Sequence, residues 1–120
     1  MKKMSEVLIE SQKTRKQITG TLVRNYDKDG KPEDYCALGA LGCEAGLIIN
    51  EEQLEKSTSS ARDFYNTIVE AYGADPTTIM ECPNHGYNYS ISLSGVIFHL
   101  NDQHSWTFEQ IGNWLKEKGY

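Results

Sequence analysis

ADPTTIMECPNHGYNYS, residues 74–90, is the stretch on which the fold class turns. Pro76 and Pro83 each remove a backbone donor, and Gly86 frees the chain to turn, so the segment predicts an irregular loop with at most a small hairpin. With little regular structure here, helical patterns dominate the rest of the chain. The expected fold is mainly α: a compact bundle of about five helices with at most a minor β-hairpin.

Working outward, Ser92 or Ser94 is placed to cap a helix carrying Leu93, Val96, Ile97 and Leu100, which also holds His99 and Asn101. Thr107 and Gln110 form a capping box, and Trp106 and Ile111 have staple spacing. A last helix should therefore start near Phe108, bury Phe108, Ile111, Trp114 and Leu115, and stop before Gly119. Upstream, Ser60 caps ARDFYNTIVEAYG, with Phe64, Ile68 and Ala71 on one stripe and Gly73 at the end. Asn50 and Gln53 form a capping box for a short helix. Asp34 offers an N-cap for YCALGALGCEAG, whose Cys36, Ala40, Cys43 and Leu47 share one side. This helix is expected to pack between the Leu93 and Phe108 helices. Ser5 should cap a first helix reaching about Lys16, and ITGTLVRNYDKDGKPEDY, residues 18–35, reads as a loose hairpin or a long loop.

The 120 residues and 13.6 kDa support a single domain, 1–120, with one modest core. A formal charge of −5 lacks the electrostatic term for phosphate backbones, so no nucleic-acid partner is expected. The apolar run Val7-Leu8-Ile9 is too short for a signal-peptide core or a membrane span. Three cysteines, an odd number, suit a reducing compartment. A cytoplasmic protein with free thiols and no membrane association is expected.

Three chemistries are open to these residues. Cys36 at a helix N-terminus, with His99 or His104 as base and Asp102 or Asn101 as orienter, has the order of a cysteine-dependent hydrolase or transferase. Against it, the helix around Cys36 looks buried, and cysteine is among the most buried residue types. CPNH places Cys82 and His85 two residues apart, a spacing that lets a tight turn present both to one zinc. Cys36 and Cys43 lie two turns apart, about 10 Å along a helix, so they cannot both join it. A mixed site would take Cys82, His85, one helical cysteine and one late histidine. SWTFEQIGNWLKEKGY resembles the first helix of a helix-turn-helix, but the sequence supplies no recognition helix after it, and a structural helical hairpin is expected. FHLNDQHSW also has a plain reading as the polar joint between two helices, His99 bonding to Asp102 and Asn101 satisfying helix-end groups. Tyr87 and Tyr89 either form a contact face or cover the core.

The pair YCALGALGCEAG and GVIFHLNDQHSWTFEQIGNWL resembles a motif pair in small uncharacterised proteins of bacteriophages, bacteria and some archaea. The resemblance covers Tyr35 to Gly46 and Gly95 to Leu115 and brings no established activity. It implies a cytoplasmic, phage-type protein in which Cys36, Leu38, Gly39, Ala40, His99, Leu100, Asn101, Asp102, Trp106, Ile111 and Trp114 match the pattern, and Asn101, Asp102, His104 and Trp106 are the candidate motif or binding residues.

The function expected from the sequence is a small regulatory protein that binds a protein partner and is not an enzyme. The Cys36 enzyme and a zinc-stabilised module are the alternatives.

Overall fold

The computed structural model describes residues 2–55 and 60–120, with the backbone alone at 86–88. Among these residues are six helices and five strands in two small sheets. The mainly helical bundle expected from the sequence is therefore incorrect: the fold is mixed α and β. The reason lies in the strands, which are short and half polar, and so carry little hydrophobic periodicity.

Helix α1, Met4–Thr14, is capped at Lys3 and starts two residues earlier than the expected Ser5 cap implies. The Glu6 carboxylate accepts the Lys3 backbone N–H (3.2 Å), while Ser5 is buried within the first turn. Its inward stripe of Met4, Val7, Leu8 and Ser11 follows helical spacing. The chain then adds strand β1, Lys16–Gln17, parallel to β3, Pro32–Tyr35. Strand β2, Val23–Tyr26, pairs antiparallel with the other edge of β3. Asp27 forms the connecting turn, its Oδ1 accepting the N–H groups of Asp29 (2.8 Å) and Lys31 (3.0 Å). A parallel pair needs a crossover, here supplied by β2 and its flanking loops, so the segment is a three-stranded sheet rather than a simple hairpin.

Helix α2, Ala37–Glu44, is capped by Cys36, whose Sγ accepts the Gly39 N–H at 3.3 Å. Asp34, the expected cap, lies in β3 and accepts from Asn25 instead. Gly39 has a steric role: a methyl group there would overlap the Leu22 carbonyl, which accepts the Cys36 N–H at 2.9 Å. Helix α3, Glu51–Glu55, carries its Asn50 cap, and α4, Ala61–Ala71, carries its Ser60 cap.

Strands β4, Ile79–Cys82, and β5, Gly86–Ser92, form the second sheet, antiparallel with an irregularity at Glu81/Cys82. The stretch that was expected to be mostly loop is thus a hairpin. Met80, Tyr89 and Ile91 pack toward the core and Ile79 stands exposed. Ser92 ends β5 and caps α5, Leu93–Asp102, so strand and helix are continuous. Helix α6, Phe108–Glu117, has the predicted Thr107/Gln110 capping box.

Helix α6 lies along α1, joined by Glu109 N–H to Gln12 Oε1 (3.0 Å) at one end and Ser5 N–H to the Tyr120 carbonyl (3.2 Å) at the other. Helix α2 contacts α1, α4 and α5, so its expected place between α5 and α6 is corrected. The core joins Leu8, Leu38, Leu41, Ile68, Leu93, Ile97, Leu100, Phe108, Ile111 and Leu115, all fully buried. Each large apolar side chain so buried contributes about 1.5–3 kcal/mol.

Candidate metal centre

The CPNH turn is built by its own backbone. Cys82 closes β4, Pro83 supplies the fixed φ suited to the second position of a β-turn, and the His85 N–H donates to the Cys82 carbonyl at 3.1 Å. The turn places the side chains at its first and fourth positions next to one another. Cys82 is buried and His85 is exposed.

Helix α5 supplies the remaining groups. His99 lies in its last turn, 8% exposed. Gln103 caps the helix, donating to the His99 carbonyl at 2.8 Å. Ser105 then adopts φ 53, a left-handed conformation that costs about 1 kcal/mol in a residue other than glycine. The reversal sends the Trp106 N–H back to the Leu100 carbonyl at 3.0 Å. His104 is held between these two bonds and is turned toward His99.

Cys82, His85, His99 and His104 come together here, with one ligand atom from each lying within 4.8 Å of all the others. The His104 and His99 Nε2 atoms are 2.9 Å apart, and Cys82 Sγ is 3.6 Å from His104 Nε2. Zinc bonds of about 2.3 Å to sulfur and 2.0–2.1 Å to nitrogen, opened to tetrahedral angles, put such atoms about 3.3–3.6 Å apart. His104 Nε2 faces two neighbours with either one hydrogen or one lone pair, so hydrogen bonding serves only one contact in full. A cation among the four accepts all their lone pairs together. The cluster can hold a metal ion.

The surroundings suit that role. The Tyr89 ring stacks on His99, with centroids 4.1 Å apart and planes within 16°, fixing the imidazole's orientation. Burial holds the His99 pKa below the usual imidazole value, with repulsion from His104 and His85 adding to it. A neutral imidazole is the form that ligates.

The sequence expectation of one helical cysteine and one late histidine is corrected: both late histidines enter and neither Cys36 nor Cys43 does. Cys36 is 1% exposed, and burial pushes its thiol pKa up to about 12 despite the Gly39 N–H. Among the described residues it makes no hydrogen bond to His99 or His104. Asp102 is engaged elsewhere, accepting from Gly20 N–H (2.9 Å) and Asn101 Nδ2 (2.8 Å). The nucleophile, base and orienter of the enzyme reading are therefore not assembled. Iodoacetamide applied to the native protein at neutral pH should leave Cys36 unmodified, read by peptide mass mapping. Stoichiometric labelling of Cys36 would instead show an activated thiol.

Asn101, fully buried, and Asp102, half-buried, belong to a hydrogen-bonded network beside the cluster. Asn101 Oδ1 accepts from Gln17 Nε2 (2.7 Å) and from Ala37 N–H (3.0 Å), while its Nδ2 donates to the Ile18 carbonyl (2.9 Å). Gln17 Nε2 also donates to the Trp106 carbonyl (2.7 Å), and Gln17 Oε1 accepts the Phe108 N–H (2.8 Å). Two side chains thus satisfy first-turn N–H groups of α2 and α6, which helix geometry leaves without partners. Helix-joint chemistry was foreseen for Asn101, but the part played by Gln17 was not. A lone glutamine in a two-residue strand gives no sequence signal. Of the two tyrosines, Tyr89 is half-buried against His99, and the Tyr87 side chain lies outside the described residues.

No family model, curated protein or solved structure matches this chain. No helix among the described residues is long and apolar enough to cross a membrane.

Proposed function

We propose that this protein is a zinc-stabilised interaction module, with Cys82, His85, His99 and His104 as the four zinc ligands. The observation that carries the reading is the convergence of those four ligand atoms within 4.8 Å. One thiolate and three imidazoles form an N/S set suited to tetrahedral zinc, and a site closed by four protein ligands is of the structural type. The metal would tie the CPNH turn of the β4–β5 hairpin to the end of α5, joining segments that otherwise meet through side-chain packing. A two-stranded hairpin is marginal by itself, which gives such a tie its value.

The module works by contact with a protein partner. The formal charge of −5 supports this over contact with a phosphate backbone. The buried, unactivated Cys36 favours contact over catalysis. Elemental analysis of the purified chain tests the metal reading: about one zinc per wild-type chain is expected, and Cys82→Ser should purify with almost none. Equal metal in both would show that the ion sits elsewhere.

A further inference from the structure

The four groups of the cluster are not held alike. Cys82 ends a paired strand and is fully buried. His99 is 8% exposed within α5, and Tyr89 is stacked on its ring. His104 is half-buried, fixed between two backbone hydrogen bonds of the α5 terminus, and in contact with both Cys82 and His99. His85 is exposed on the turn. Among the described residues no hydrogen bond holds its ring, which lies near the rings of His104 at 4.8 Å, His99 at 5.4 Å and Tyr89 at 5.7 Å between centroids, with its ligand nitrogen within 4.8 Å of Cys82 Sγ.

We propose that the centre is built as three plus one: Cys82, His99 and His104 form the retaining set, and His85 is an exchangeable fourth ligand on the solvent side. The inference rests on the metal reading above and adds to it a coordination position open to a small monodentate donor. When His85 swings out, water, an imidazole or a comparable nitrogen or oxygen donor takes its place. One neutral ligand leaves and one enters, so the metal's charge and oxidation state are unchanged. A side chain at the surface has solvent to move into and loses little packing when it leaves. The same movement by His99 would break its stack with Tyr89 and open the core, and movement by Cys82 would break the end of β4. A site with three protein ligands and one open position is the arrangement on which zinc presents a bound water or substrate. Exchange at His85 gives this otherwise closed centre conditional access to that state.

Cobalt(II) reports the coordination directly, because it takes zinc's place in N/S sites and absorbs visible light. Wild type and His85→Gly are each loaded with one equivalent. His85→Gly should still bind cobalt, about a hundredfold more weakly, roughly the share of one ligand in four. It should keep the near-ultraviolet thiolate-to-cobalt band from Cys82, while its visible bands weaken as water enters. Added imidazole should then restore the wild-type visible spectrum saturably. Two outcomes would overturn the proposal: complete loss of cobalt from His85→Gly, which would make all four ligands indispensable, or a variant spectrum identical to wild type and indifferent to imidazole, which would remove His85 from the coordination shell. If wild type takes up no cobalt, the metal reading itself fails, and that is seen before any variant is used. His85→Gly changes one exposed turn position, and His85→Asn, tested in parallel, separates loss of the ligand from added backbone freedom.

Discussion

Removing the metal with a chelator should lower the melting temperature by about 15 °C. Zinc that binds the folded chain but not the unfolded one stabilises it by RT ln(1 + [L]/Kd), about 4 kcal/mol at a free concentration a thousandfold above Kd. For a domain of this size each kcal/mol moves the midpoint by about 4 °C. The structural cost of removal falls on the β4–β5 hairpin, whose CPNH turn loses its tie to His99 and His104, and on three imidazoles left facing one another. Calorimetric scans of zinc-loaded and chelated protein provide the comparison. Zinc should restore the lost stability, and magnesium should not, because it prefers oxygen ligands. Superimposable scans would mean that the four side chains form a hydrogen-bonded polar cluster with no metal role.

Asn101→Ala should destabilise the fold by about 3–5 kcal/mol, more than a typical substitution. The side chain is fully buried, and all its hydrogen-bonding capacity is in use: two donors reach Oδ1 and Nδ2 reaches two acceptors. Truncation strands the Ala37 N–H, the Ile18 carbonyl and one Gln17 hydrogen, each buried polar group left unsatisfied costing about 1–3 kcal/mol before relaxation. Asn101→Asp is the informative control. It keeps the acceptor for Ala37 and Gln17 but turns a carboxylate oxygen toward the Ile18 carbonyl and the Asp102 carboxylate, so its loss should be comparable. Urea midpoints read both variants. Near-wild-type stability in both would show that the fold does not depend on the Asn101 network. Zinc uptake by the folded fraction should be unchanged, because Asn101 belongs to the network beside the centre.

The HLND segment shows why sequence reading went only part of the way. Its helix was legible because Leu93, Val96, Ile97 and Leu100 repeat at helical spacing and Ser92 caps them. The division of labour within one turn was not: His99 faces Cys82, His85 and His104, Leu100 the core, Asn101 the α2 terminus and Asp102 the Gly20 N–H. Those assignments depend on which distant elements pack on each side of the helix. The capping boxes and stop glycines were readable for a similar reason, since they act within four residues. The strands failed because their evidence is long-range. Lys16–Gln17 is a strand only through its pairing with Asp34 and Tyr35. YNYSIS did carry a usable signal, an alternation of ring or aliphatic side chains with small polar ones, but Pro76, Pro83 and Gly86 outweighed it. In the site, CPNH revealed two of the four clustered side chains because a tight turn makes that spacing meaningful. His99 and His104, five residues apart, fit no single helical face. They converge because the chain reverses at Ser105, and a serine at φ 53 leaves little trace in sequence.

X-ray absorption at the zinc edge of the metal-loaded protein tests the central claim most directly. A first shell of one sulfur at about 2.3 Å and three nitrogens at about 2.0 Å is the expected result. A shell of oxygen and nitrogen alone in wild type, or one with two or more sulfurs, would contradict the assignment of Cys82, His85, His99 and His104 as the ligand set.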